Sequence, residues 1–126
     1  MDLDRERLDQ VIDRIVPADA DPGALDLGTP DYVLARLDAD PGLAAMVAAG
    51  LATLPAGFGA LATEGRDAVL RGIETASWFA ALVELTGEGF WADPGNGGNR
   101  DARSWAIVGY RHGLPDGPSG PPRVPR

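Results

Sequence analysis

The sequence contains no cysteine and no lysine, and it has a single histidine, His112. Without cysteine there is no disulfide framework, no thiolate metal site and no cysteine nucleophile; the absence also fits a reducing compartment. One histidine and no cysteine argue against a zinc centre, which favours nitrogen and sulfur ligands. They also exclude the carboxylate-bridged di-iron pattern, which needs Glu-x-x-His pairs on two helices. Serine is scarce: Ser77, Ser104 and Ser119 are the only ones, and none lies in a nucleophile elbow. No apolar run approaches the ~20 residues that span a bilayer. The start, MDLDRERLDQ, is acidic and amphipathic, unlike a secretory signal, which begins basic and continues apolar.

Positive charge is also in short supply. The 126 residues carry a net charge of −8 and a pI near 4.4, which argues against a nucleic-acid backbone as partner. The deficit is uneven. Residues 1–63 hold 11 acids and 4 arginines, whereas residues 64–126 hold 8 acids and 7 arginines. With lysine absent, the cations are arginines, which a GC-rich coding bias explains as simply as a need for forked hydrogen bonds.

What is present is helical periodicity. Leu8, Val11, Ile12 and Ile15 recur at helical spacing and predict a helix over about 3–16, stopped by Pro17. Residues 17–28, rich in Pro, Gly and Asp, read as a loop. Thr29-Pro30 predicts a start, with the Thr29 hydroxyl as cap and proline in the first turn; the short helix continues through Leu37. Asp40-Pro41 repeats the device for a helix through Leu51. After a Gly-containing connection over 55–63, one long helix is expected over 64–86. Thr63 is its cap, Val69, Leu70, Ile73, Ala76, Ala80 and Val83 are its apolar face, and Gly87 is its stop. A short helix follows from Asn99 through Trp105. With no β-alternation, the fold class is a small all-α domain of about four to five helices, with an irregular, aromatic- and Gly-rich C-terminal segment. Residues 1–112 form the domain. In residues 113–126, GLPDGPSGPPRVPR, eight of 14 residues are Gly or Pro, so an extended or disordered tail is expected.

One acidic group invites a functional reading. Glu6, Asp9 and Asp13 line one face of the first helix, as a cation site or, more simply, a solvated face. Asp67, Arg71 and Glu74 are spaced for pairing on a helix surface. The densest signal is DPGNGGN at 93–99, lying between Trp91 and Trp105. It lacks the G-x-G-x-x-G spacing of a dinucleotide loop, no strand precedes it, and the lysine of a P-loop is missing. Gly97 and Gly98 permit backbone angles closed to other residues, and Asp93-Pro94 favours a side-chain-closed turn. Six of the eight aromatics fall within 78–110, and Trp and Tyr are frequent interface anchors. The loop is therefore either a folded connection serving its own domain or an interface.

IVPADADPG at 15–23 and GFWADPGNGGNRDARSWAIVGY at 89–110 resemble the two signature regions of the gluconate 2-dehydrogenase subunit 3 family. These are the small subunits of membrane-associated, flavin-dependent sugar and alcohol dehydrogenases. The likeness runs through Ile15, Val16 and Pro17, then Phe58, Leu61, Arg66 and Leu70, then Asp93, Pro94, Gly97, Gly98, Asn99, Trp105, Gly109 and Tyr110.

The resemblance implies a non-catalytic accessory subunit. It would bind and stabilise an FAD-dependent oxidoreductase of the glucose–methanol–choline (GMC) type, with FAD in the partner and no cofactor, metal or catalytic residue in this chain. A hetero-oligomer is implied, with Trp91, Asp93, Pro94, Gly97, Gly98, Asn99, Trp105, Gly109 and Tyr110 at the partner interface. Many relatives carry a twin-arginine signal; this sequence has none, so a cytoplasmic complex is expected. A stand-alone helical binding module is the alternative.

Overall fold

A computed structural model describes residues 3–108. The expected tail over 113–126, together with Gly109, Tyr110 and His112, lies outside the described residues. Among the described residues six α-helices follow one another: α1 Arg5–Ile15, α2 Thr29–Asp38, α3 Pro41–Ala52, α4 Thr63–Arg71, α5 Ser77–Phe90 and α6 Arg103–Val108. Single 3-10 turns lie at Phe58–Ala60, Pro94–Asn96 and Arg100–Ala102, and no strand occurs among the described residues. The all-α class expected from periodicity is the class observed.

The first three helices lie close to their predicted ranges, and their ends are explained locally. Asp4 caps α1 by accepting from the Arg7 amide at 3.0 Å. Asp40 does the same for α3 through the Leu43 amide at 3.1 Å, with Pro41 in the first turn. Arg7 reaches from α1 to the end of α3 and donates to the carbonyls of Leu51 and Pro55, at 3.0 and 3.2 Å. Both carbonyls also accept a backbone amide, from Leu54 and Phe58, so the guanidinium adds a second donor to each and places a cation near the negative end of the α3 dipole.

Thr29 is not the cap of α2. Gly28 is, in the left-handed region at φ 72°, and Thr29 lies inside the first turn. Its hydroxyl is fully buried and has no hydrogen-bond partner. The reason is chiefly conformational: Gly28 takes a positive φ that L side chains rarely adopt, and a Cβ there would also displace the exposed Arg100 guanidinium, whose Nη2 lies 2.6 Å from that position.

The long helix expected over 64–86 is two helices. It breaks over residues 72–76, where the Gly72 amide is shared among the carbonyls of Ala68, Val69 and Leu70. Glycine has little helix propensity, and the bend carries a larger gain. It turns α5 so that Trp78 lies against Gly50 of α3, where any Cβ would overlap the indole. The helical phase shifts across the break. Leu70 is buried and Val69 and Ile73 are half-buried, as expected, but Ala80 and Val83 point outward. The buried face of α5 is instead Trp78, Leu82, Leu85, Thr86, Gly89 and Phe90. Gly87 does not stop α5, which runs to Phe90, and Thr63 does not cap α4, whose cap position is Ala62.

α5 is the centre of the domain, packed against α1, α2 and α3. One continuous core joins Leu8, Val11 and Ile12 of α1, Val33 and Leu37 of α2, Val47 and Leu51 of α3, and Phe58 beneath them. α4 is attached differently, with Leu70 as its one buried residue. Arg66 donates to the carbonyls of Leu61 and Gly59, both at 3.1 Å. Arg14 of α1 grips Asp67 with two hydrogen bonds, at 2.8 and 3.1 Å. Asp67 thus pairs across helices rather than with Arg71 on its own surface. The hydrogen bonds from Arg14 hold the Asp67 carboxyl below its ordinary range. On α1, Asp9 pairs with Arg5 at 3.0 Å.

Candidate docking site

The segment after α5 is built by folding back on the end of that helix. Phe90 stays in the core while Trp91, half-buried, stands edge-on to it, with ring centroids 5.0 Å apart at 87°. Asp93 then closes the expected turn: its Oδ1 accepts from the Gly95 amide at 2.9 Å, and Pro94 opens the 3-10 turn. Gly97 leaves the turn at φ 96°, a left-handed conformation that a side chain resists. It is exposed, and a Cβ there would meet open space. The demand at Gly97 is therefore on the backbone angle alone.

Gly98 answers to a different demand. It is buried, and a Cβ would lie 2.5 Å from the Gly89 carbonyl oxygen and 3.1 Å from Tyr32 Cβ. Gly89 meets the same residue from α5, with a Cβ position 2.7 Å from Tyr32 Cδ1. The two glycines let the loop, α5 and α2 close on one tyrosine.

Asn99 is the keystone. It is fully buried, in the left-handed region at φ 49° and ψ 53°. Its Nδ2 donates to the Ala92 carbonyl at 2.7 Å. Its Oδ1 accepts from both the Ser104 amide, at 2.9 Å, and the Ser104 hydroxyl, at 2.6 Å. One amide group thus closes the loop behind it and ties down the first turn of α6 ahead of it. The expected short helix begins later than Asn99, at Arg103, because a 3-10 turn with positive φ at Asp101 and Ala102 intervenes. Such angles are strained for residues with a Cβ and persist only where surrounding contacts fix them. Here Trp105, 7% exposed, donates from Nε1 to the Trp91 carbonyl at 3.0 Å, and the Arg100 amide donates to the Leu27 carbonyl at 2.9 Å.

Of the residues expected at an interface, Gly98, Asn99 and Trp105 are buried within the chain. Asp93 and Gly97 are exposed, Trp91 and Pro94 are half-buried, and Gly109 and Tyr110 lie outside the described residues. Sequence reasoning missed Ser104, Tyr32, Gly28 and Arg100, which hold the loop from the far side. Only Ser104 left a local signal, as a hydroxyl close behind Asn99.

The arrangement fixes the shape of an exposed turn. Ser104 is 0% exposed and its hydroxyl donates to Asn99, so it is closed to substrate. Among the described residues no three histidine, cysteine or carboxylate side chains are grouped to hold a metal ion, and no helix is long and apolar enough to cross a membrane. The model of one protein family, described as gluconate 2-dehydrogenase subunit 3, matches residues 2–113. No curated protein and no solved structure matches the chain.

Proposed function

The chain belongs to the gluconate 2-dehydrogenase subunit 3 family, and we propose that it is the accessory subunit of a dehydrogenase complex. In this reading it does no chemistry itself. It binds and stabilises an FAD-dependent, GMC-type catalytic subunit that oxidises a sugar or alcohol, and FAD resides in that partner. The family match over 2–113 carries the reading. The loop supports it, because Asn99 and two glycines fix the shape of an exposed turn that contributes little to the core. The docking surface is the outer side of that turn, Trp91, Asp93, Pro94 and Gly97, with Gly98, Asn99 and Trp105 holding it from within; Gly109 and Tyr110, which the resemblance also assigns to the interface, lie outside the described residues. A cytoplasmic hetero-oligomer is part of the proposal.

Co-expression with a flavoprotein encoded beside it is the direct test. The two chains are expected to co-purify as a yellow complex, while this chain alone is colourless. Gly97→Val is expected to leave helical content unchanged and to weaken the complex by about tenfold or more, since left-handed backbone strains a β-branched residue by about 1–2 kcal/mol. Unchanged affinity in a folded variant would remove the loop from the interface. Failure of any flavoprotein to co-purify would remove the partner.

A further inference from the structure

The chain has two asparagines, Asn96 and Asn99, three positions apart in the same loop, and the backbone that follows each is held in opposite ways. Asn99 has both ends of its amide engaged, and the amide of the next residue, Arg100, donates to the Leu27 carbonyl. Asn96 is followed by Gly97, which is exposed, carries no Cβ, and has open space where one would be. The Gly97 amide makes one backbone bond, to the Pro94 carbonyl at 3.2 Å, inside a single 3-10 turn. Such turns have poor hydrogen-bond geometry, and an exposed single turn opens at little cost in free energy.

We propose that Asn96 is a spontaneous modification site, converting to aspartate and isoaspartate through a cyclic imide with Gly97, while Asn99 is protected by the fold. The chemistry requires only water. The Gly97 backbone nitrogen loses its proton to solvent and attacks Asn96 Cγ. The Cγ–N bond of the side-chain amide breaks, and ammonia leaves with the returned proton. Water then opens the five-membered imide at either carbonyl. One direction gives an ordinary aspartyl residue; the other routes the backbone through the side chain as isoaspartate. No redox change occurs, and the net exchange is NH2 for OH. A residue after asparagine normally hinders the attack through its Cβ, and glycine removes that obstacle. Either product adds a carboxylate three positions after Asp93, and the isoaspartate form also lengthens the backbone of the turn by one methylene.

Mass spectrometry of the full chain, aged in mildly alkaline buffer, tests this directly. Trypsin cuts after Arg71 and Arg100, so both asparagines fall in one peptide, and fragmentation separates them. The folded chain is expected to gain the mass of the NH2-to-OH exchange at Asn96, more rapidly at higher pH, with Asn99 still an amide. Asn96→Gln is expected to abolish the shift. The proposal is overturned if folded chain keeps Asn96 intact through an incubation that converts urea-unfolded chain, or if Asn99 converts as fast. Any loss of partner affinity in aged chain rests on the docking proposal and is read in a separate titration; the modification itself is measured without a partner.

Discussion

The helical body, α1 to α5, and the segment from Trp91 to Val108 are held by different forces. The body buries aliphatic side chains from its helices together with Phe58 in one core. Such cores keep their fold through many volume-conserving exchanges. The later segment is fixed by particular atoms: one asparagine amide, one indole N–H, one backbone bond to Leu27, and glycines where nothing larger fits. The body therefore sets stability, and the segment sets shape. Under the proposed docking, the partner reads the segment.

The largest effect is expected where the body, like the loop, depends on a single atom. Gly50→Val drives a side chain into the Trp78 indole. Expelling that ring should cost about 3–5 kcal/mol, the range for losing a buried aromatic, and urea denaturation should show the whole domain lost at a much lower midpoint. Next comes the loop's own keystone. Asn99→Ala leaves the Ala92 carbonyl and the Ser104 amide without their partner, at about 1–3 kcal/mol for each buried group left unpaired. The comparison is sharpened if far-UV circular dichroism shows the body still helical while tryptophan fluorescence reports Trp91 and Trp105 released. It breaks if the body melts too.

A smaller change of opposite sign is expected at the junction of the two regions. Thr29→Val removes a buried hydroxyl that has no partner and keeps the side chain's shape. It should raise stability by about 1 kcal/mol, by analogy with the penalty of an unmade bond, read as a higher thermal midpoint. The smallest effect concerns the Arg14–Asp67 clamp. The folded carboxyl titrates below its unfolded value of about 3.9. Its contribution is complete above that value and is lost as pH falls through the lowered folded one. Asp67→Asn should therefore be slightly less stable at neutral pH and lose less on acidification. Acid titrations of unfolding free energy that run parallel in both proteins would assign the clamp no role.

How much of this was legible in the sequence follows the same division. α1, α2 and α3 announce themselves through periodicity and, for α2 and α3, through proline in the first turn, which are local signals. The break at Gly72 did not, because Ala80 and Val83 continue the apolar rhythm of Val69 and Ile73 although they face outward. Only the docking of Trp78 on Gly50, two distant positions, decides the phase. In the loop, the turn at Asp93-Pro94 and the left-handed Gly97 were readable from residue type. Gly98 was readable as special but not why: its constraint is the approach of Gly89 and Tyr32, not a backbone angle. Gly28 as the cap of α2 was hidden by the Thr29-Pro30 signal beside it, which offers a hydroxyl one position too late, whereas the left-handed cap angle is one that glycine favours.

The bond from the Arg100 amide to the Leu27 carbonyl bears on the order in which the molecule is made. It joins the loop before α2 to a residue that emerges after α5. Contacts so far apart in the chain form late, because the intervening chain must first be ordered to bring them together. The Asp93–Gly97 turn is closed by its own local bonds, but its position on the body is fixed only once Arg100 has reached Leu27. Under the proposed docking, a catalytic subunit would meet that surface in place only on a chain whose body has already folded.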